Sequence, residues 1–274
     1  MYCKFYGLKE RPFNVTSDPA FFFFSKKHKE ALSHLDYGIT QRKGIVVITG
    51  EIGTGKTTLC RFYLNGLRSS IKTAFILNPL FSDSQLLQAI LNDFGINSKR
   101  KTRFACVNEL NSFLISESEN GNNVVLFIDE AQNMKPRTLE QIRLLSNLET
   151  EKDKLLQIVL VGQPELNRRL DLYELRQLRQ RIIVKYHILP LEKQEIKDYI
   201  NHRLRIAGAE DELHFTDDAI DKICKFSNGT PRLINIICDR SLLAGFVAET
   251  NSITADIVHS CSDELLADLA DVKT

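Results

Sequence analysis

Apolar and polar positions along the chain alternate between two periods. Short runs rich in β-branched residues, with no polar break, mark strands buried on both faces. They occur at Gly44–Thr49 (GIVVIT), Val124–Asp129 (VVLFID) and Gln157–Gly162 (QIVLVG). Lys72–Asn78 (KTAFILN) and Ile182–Ile188 read as two further strands, the last stopped by Pro190. Between them lie stretches of helical period at about Lys26–Gln41, Lys56–Leu67, Leu86–Phe94 and Ala105–Glu117, and a helix through about Leu148. Ser82 with Gln85, and Thr138 with Gln141, have the spacing of capping boxes. Strand and helix in alternation predict an α/β fold, a parallel sheet flanked by helices. After Pro190 only helical patterns follow, over Glu192–Ile206, Thr216–Phe226, Pro231–Ala248 and Thr254–Leu269. A boundary near Leu189–Leu191 therefore divides an α/β core, residues 1–190, from an all-helical segment, residues 191–274.

Composition narrows the class. With 43% apolar and 26% charged residues the chain is globular, not disordered, collagen-like or coiled-coil. Its 36 basic and 35 acidic side chains leave a net charge of +1, so no global field draws it to nucleic acid or lipid. The most concentrated basic run, Ser98–Arg103 (SKRKTR), reads either as a solvated loop or as a contact to a phosphate backbone. Six cysteines (Cys3, Cys60, Cys106, Cys224, Cys238, Cys261) lack metal-ligand spacing and read as free thiols of a reducing compartment. The N-terminus has no apolar signal region, and no apolar run approaches the ~18 residues of a membrane span. A soluble, cytoplasmic chain without a membrane span is expected.

The strongest chemical signal is Gly50-Glu51-Ile52-Gly53-Thr54-Gly55-Lys56-Thr57, which satisfies G-x-x-x-x-G-K-[ST]. Glycines let the backbone turn tightly enough for successive N–H groups to cradle phosphate oxygens, and the following helix adds the positive end of its dipole. Lys56 reaches the β- and γ-phosphates, Thr57 offers its hydroxyl to Mg²⁺, and Thr58 completes the ATP-binding set. A strand before the motif and a helix after it supply the required context. Downstream, Asp129 ends a buried strand, where an open α/β sheet binds its ligand. Asp129 is the candidate second Mg²⁺ ligand, and Glu130 the candidate for polarising the attacking water. That pair favours ATP hydrolysis over small-molecule phosphorylation, because a kinase must keep water out.

Three further positions fit the same chemistry. Gln163, at the end of the next strand, presents an amide to the γ-phosphate or the water, or is a turn residue before Pro164. Leu175–Arg181 (LRQLRQR) carries Arg176, Arg179 and Arg181, each either part of a solvated basic helix face or, with Arg181 first and Arg179 second, the arginine supplied to a neighbouring subunit's nucleotide. In Gly229-Thr230-Pro231-Arg232, Thr230 suits an N-cap and Pro231 the first helical position. Arg232 then opposes the helix dipole by about 0.3–1 kcal/mol, a mismatch that a γ-phosphate opposite would relieve. The aromatics Phe13 and Phe21–Phe24 read either as core or as the wall of an adenine slot.

Taken together, the phosphate loop, the Asp-Glu strand end, the polar strand end, the arginine cluster and the helical segment opened by G-x-P-R resemble an AAA+ ATPase, a P-loop NTPase core with a helical lid. The blocks MYCKFYGLKERPFNVTSDPAFFF, HKEALSHLDYGI, GEIGTGKTT, IDEAQNM, LVGQPEL, LRQRI and GTPRLINIICDRSLL resemble, more narrowly, the ExeA-like (general secretion pathway protein A) ATPases. Transposition ATPases of the TniB type are cousins. The resemblance implies ATP and Mg²⁺ as cofactors, with Lys56 and Thr57 on phosphate and metal and Asp129 and Glu130 on metal and water. It likewise implies Gln163 and Arg232 as phosphate sensors, and Arg181 or Arg179 acting across a subunit interface of a homo-oligomer. Protein partners of a secretion, pilus or exopolysaccharide complex are expected, placing the protein at the inner membrane through its partners or a further span. The secretion proteins continue into a membrane span and a peptidoglycan-binding domain that are not found through Thr274, so the sequence is expected to be either the cytoplasmic part of a longer product or a stand-alone relative. A DNA-binding regulator of transposition is the competing expectation.

Overall fold

The computed structural model describes residues 1–97, 102–150 and 153–271. Lys99, Arg100 and Lys101 of the basic run lie outside the described residues. The chain divides into two units, one of residues 28–52 and 59–188, the other of residues 1–27, 53–58 and 189–274.

The first unit is built on five strands: β1 (Ile45–Gly50), β2 (Ile71–Ile76), β3 (Asn123–Ile128), β4 (Leu156–Gly162) and β5 (Ile182–Ile188). They form one sheet in the order β2-β3-β4-β1-β5, every pair parallel. Every residue of β1 and β4 is buried, as their unbroken apolar runs require, whereas the edge strands β2 and β5 alternate. Helices cover the sheet with stripes of helical period. Leu86, Leu87, Ile90 and Leu91 of helix Asp83–Asp93 are fully buried. In helix Lys26–Thr40, Gly38 lies so close to β1 that an added Cβ would stand 2.3 Å from Val46 Cγ2, so only glycine fits.

The capping signals divide. Gln85 Oε1 accepts the Ser82 N–H at 2.9 Å, as the box predicts. The Thr138–Gln141 spacing misleads: that helix is Pro136–Leu145, with Lys135 as N-cap and Pro136 in the first turn. Proline's fixed φ starts the helix three residues earlier, with its N-cap at Lys135 and not Thr138. The Thr138 hydroxyl instead donates to Asp83 at 3.2 Å.

In the second unit, helices Lys193–Ile206, Asp217–Ser227, Pro231–Val247 and Ala255–Asp271 enclose a core of Ile200, Ile223, Ile234, Ile237 and Leu242. It is not purely helical: His214–Phe215 pairs in parallel with Ser252–Ile253, a ladder too short to leave a period in the sequence. The N-terminal segment packs into this unit. Phe13 meets Phe215 edge-on at 6.1 Å between ring centroids, and Phe13 and Phe21 are buried, so these two aromatics are core. Buried Arg203 stacks over Phe21 at 4.8 Å and donates to the carbonyls of Pro12 and Asn14 and to the Tyr199 hydroxyl. Among the described residues no helix is long and apolar enough to cross a membrane.

Candidate functional site

All five strands run the same way, so Gly50, Asp129 and Gln163 leave β1, β3 and β4 along one edge of the sheet. β1 is internal and its neighbours β4 and β5 come later in sequence, which makes its carboxyl end a point where the connections diverge. The phosphate-loop sequence starts there.

Gly53 and Gly55 have φ of +81° and +90°, conformations that glycine adopts without strain, and helix Lys56–Asn65 follows at once. Thr54 and Lys56 are buried, Thr57 is half-buried, and Glu51 and Ile52 are exposed. Arg232 is seated on this loop: its backbone N–H donates to the Gly53 carbonyl at 3.2 Å. An added Cβ on Gly53 would lie 2.6 Å from Arg232 Cβ and 3.2 Å from Thr230 Cγ2. Thr230 and Pro231 occupy the N-cap and first-turn positions, as their residue types predict. The preceding turn is held by Gly229, whose φ is +75° and whose Cβ would stand 2.1 Å from the Leu191 carbonyl oxygen. A glycine-lined bend opening a helix, a buried lysine and a half-buried threonine are what a triphosphate and its Mg²⁺ require.

At the end of β3, Asp129 is 1% exposed and Glu130 stands in the left-handed region at φ +53°. The Glu130 N–H donates to Asp129 Oδ1 at 2.8 Å. Gln163 Nε2 donates to Glu130 Oε2 at 3.3 Å, so the structure brings together these two sequence candidates. It adds a third residue that sequence reading passed over. Gln132 donates its amide to the same Glu130 oxygen, and its Oε1 accepts the Gln163 backbone N–H at 3.0 Å. Gln132 follows the Asp-Glu pair by two positions, but nothing in its spacing distinguishes it from a turn residue.

The arginines lie elsewhere. Arg181 immediately precedes β5, and Gly50 pairs with Ile188 at the other end of that strand. Seven residues at about 3.3 Å each put Arg181 roughly 23 Å from Gly50. Arg179 is paired with Asp171 at 3.3 Å, and Arg176 lies over the Tyr173 ring at 4.2 Å. The Arg181 side chain has no hydrogen-bond or ion-pair partner among the described residues. The positive charge it adds near Lys154 helps burial to lower that lysine's pKa.

Residues 39–170 match the family described as AAA domain. General secretion pathway protein A of Aeromonas hydrophila is 43% identical over 254 residues, covering 92% of this chain and 46% of that protein. The chain thus spans about half the length of this curated relative. Among solved structures, ORC2 of Aeropyrum pernix has a TM-score of 0.69 at 17% identity, over 93% of this chain and 72% of that one. Cdc6p of Pyrobaculum aerophilum has a TM-score of 0.70 at 20% identity, over 90% and 70%. RuvB of Thermotoga maritima follows at 0.59 and 21%, over 89% and 70%. At such identities these likenesses speak to the fold. Sheet order, sequence match and structural likeness converge on one fold, the α/β core of AAA+ P-loop proteins, and the chain is similar over most of its length to general secretion pathway protein A.

Proposed function

We propose that this protein binds ATP and hydrolyses it to ADP and phosphate, acting as a molecular switch. The observation that carries this reading is the 3.3 Å hydrogen bond from Gln163 to Glu130, which sets a carboxylate and an amide side by side at the carboxyl edge of the sheet. In this reading Gly50–Thr58 hold the triphosphate, with Lys56 on the β- and γ-phosphates. Thr57 and Asp129 hold Mg²⁺, whose charge offsets that of the phosphates when it is bound. Glu130 takes the proton of the attacking water, Gln163 orients it, and Arg232 reads the γ-phosphate from its seat on Gly53. Solution of the similar ORC2 with ADPNP and ADP lends support from a shared fold.

The sheet-bearing residues 28–188 serve as the nucleotide-binding core, and residues 189–274, together with the N-terminal segment 1–27 that packs with them, serve as the lid. The ~23 Å between Arg181 and Gly50 puts this arginine out of reach of its own phosphate loop. Arg181 therefore acts on the nucleotide of a neighbouring copy, and the active sites are completed in a homo-oligomer. The relation to general secretion pathway protein A supports a role on the cytoplasmic side of an envelope or secretion complex, peripheral to the inner membrane.

Phosphate release by the purified chain tests the hydrolysis. Glu130→Gln is expected to bind ATP at equilibrium but to lower turnover by about 10²–10⁴-fold. Unaltered turnover in that variant overturns the role given to Glu130.

A further inference from the structure

Gln132 joins the two groups that the chemistry uses. Its amide is oriented by its partners: Oε1 accepts from the Gln163 N–H at 3.0 Å, so the NH₂ end must face Glu130 Oε2. A flipped amide would set N–H against N–H and oxygen against carboxylate. At 7% exposure, water competes little for either bond. The site is shaped to admit this side chain, because a Cβ on Gly162 would lie 2.7 Å from Gln132 Oε1. The backbone contributes as well: the left-handed turn at Glu130 leads directly into the single helical turn Ala131–Asn133, which presents Gln132 back to the residue two before it.

We infer that Gln132 is a positioning residue for hydrolysis: it fixes the direction of the Glu130 carboxylate and ties it to the strand end bearing Gln163. Glu130 Oε2 is taken up by the two amides, while Oε1 has no hydrogen-bond partner among the described residues and is the oxygen left to receive a proton from water. Without Gln132, the bond from Gln163 alone is long at 3.3 Å and leaves the Glu130 side chain free to rotate. This inference rests on the hydrolytic reading above and concerns the chemical step only, since the hydrogen bonds of the Gln132 side chain go to Glu130 and Gln163 and to no phosphate-loop residue among the described residues.

The test separates chemistry from binding in the full chain. Gln132→Leu and Gln132→Glu are expected to lower kcat about 10- to 100-fold, as loss of an outer hydrogen-bond partner does. The dissociation constant for ATP, titrated with a fluorescent analogue, should stay within about twofold. Gly162→Ala disturbs the same joint while keeping the glutamine itself: the new methyl, 2.7 Å from Gln132 Oε1, displaces the amide, and the variant should reproduce the loss in kcat alone. If Gln132→Leu fails to fold, the near-isosteric Gln132→Glu and Gly162→Ala carry the test. Wild-type kcat in folded variants, or equal losses in kcat and affinity, overturns the inference. Glu130→Gln run in parallel keeps two failures apart: if it is inactive while the Gln132 variants are not, the positioning role fails. If Glu130→Gln itself turns over normally, the hydrolytic reading fails.

Discussion

The backbone N–H of Arg232 donates to the carbonyl oxygen of Gly53 at 3.2 Å, joining the first turn of helix Pro231–Val247 to the phosphate loop. Main-chain and side-chain roles of Arg232 are therefore separable. Arg232→Ala keeps the main-chain bond and should leave the urea midpoint nearly unchanged, yet weaken ATP relative to ADP in direct titration. Equal losses for both nucleotides would show that Arg232 does not read the γ-phosphate. Gly53→Ala is the converse. Its left-handed φ costs an alanine about 1–2 kcal/mol before the clash with Arg232 is counted, so both stability and nucleotide binding should fall.

Lys56 is buried in the first turn of the helix that follows the glycine-lined loop, where its charge adds to that of the helix N-terminus in drawing an anion. Lys56→Ala should weaken ATP by roughly 30-fold or more, the range for losing one member of a buried charged contact. Isothermal titration in the presence and absence of Mg²⁺ measures this, and undiminished affinity would remove Lys56 from the phosphates.

Arg181→Ala should abolish turnover while sparing nucleotide binding, a loss of about 10³–10⁵-fold if the arginine acts as proposed. Mixing it with inactive Glu130→Gln subunits restores interfaces in which an intact Arg181 faces an intact Glu130. Phosphate release should then reappear in the mixture. Two inactive variants that stay inactive together would argue against action between subunits.

Arg203 holds the N-terminal segment through the Pro12 and Asn14 carbonyls. Arg203→Met leaves those carbonyls and the Tyr199 hydroxyl short of a donor, at an expected cost of about 3 kcal/mol. The urea midpoint should fall, and trypsin should cut within residues 1–27 faster than in the wild type. An unchanged digestion pattern would mean that the aromatics of this segment anchor it without Arg203.

Burial raises the thiol pKa of Cys238 well above its ordinary value and raises that of Cys261. A raised pKa leaves less thiolate at a given pH, so both should alkylate slowly in the native state. Half-buried Cys3 and Cys224 should react first. Mass spectrometry of the labelled peptides at pH 8 gives the order, and early modification of Cys238 would contradict the packing of helix Pro231–Val247.

Much of the fold was legible because its signals are local. β1 and β4 are buried on both faces and read as unbroken apolar runs, and the Gly-Lys-Thr motif needs only its own glycines and the helix that follows. Local spacing also produced the error at Thr138. Two residues at capping distance say nothing of which helix start wins, and Pro136 settles it through its fixed φ. His214–Phe215 and Ser252–Ile253 escaped notice because two residues cannot show a period.

Residue types alone determined the parallel sheet, the phosphate loop, and Asp129, Glu130, Gln163 and Arg232 as candidates, since each follows from composition over a few neighbouring positions. Only tertiary structure decided that Arg232 sits on Gly53, that Gln132 bridges Glu130 and Gln163, and that residues 1–27 pack with 189–274. The physical reason is separation along the chain. A hydrogen bond between Gln132 and Gln163, or between Arg203 and Pro12, spans a loop whose closure depends on the packed core as a whole, and no short window of sequence encodes that closure.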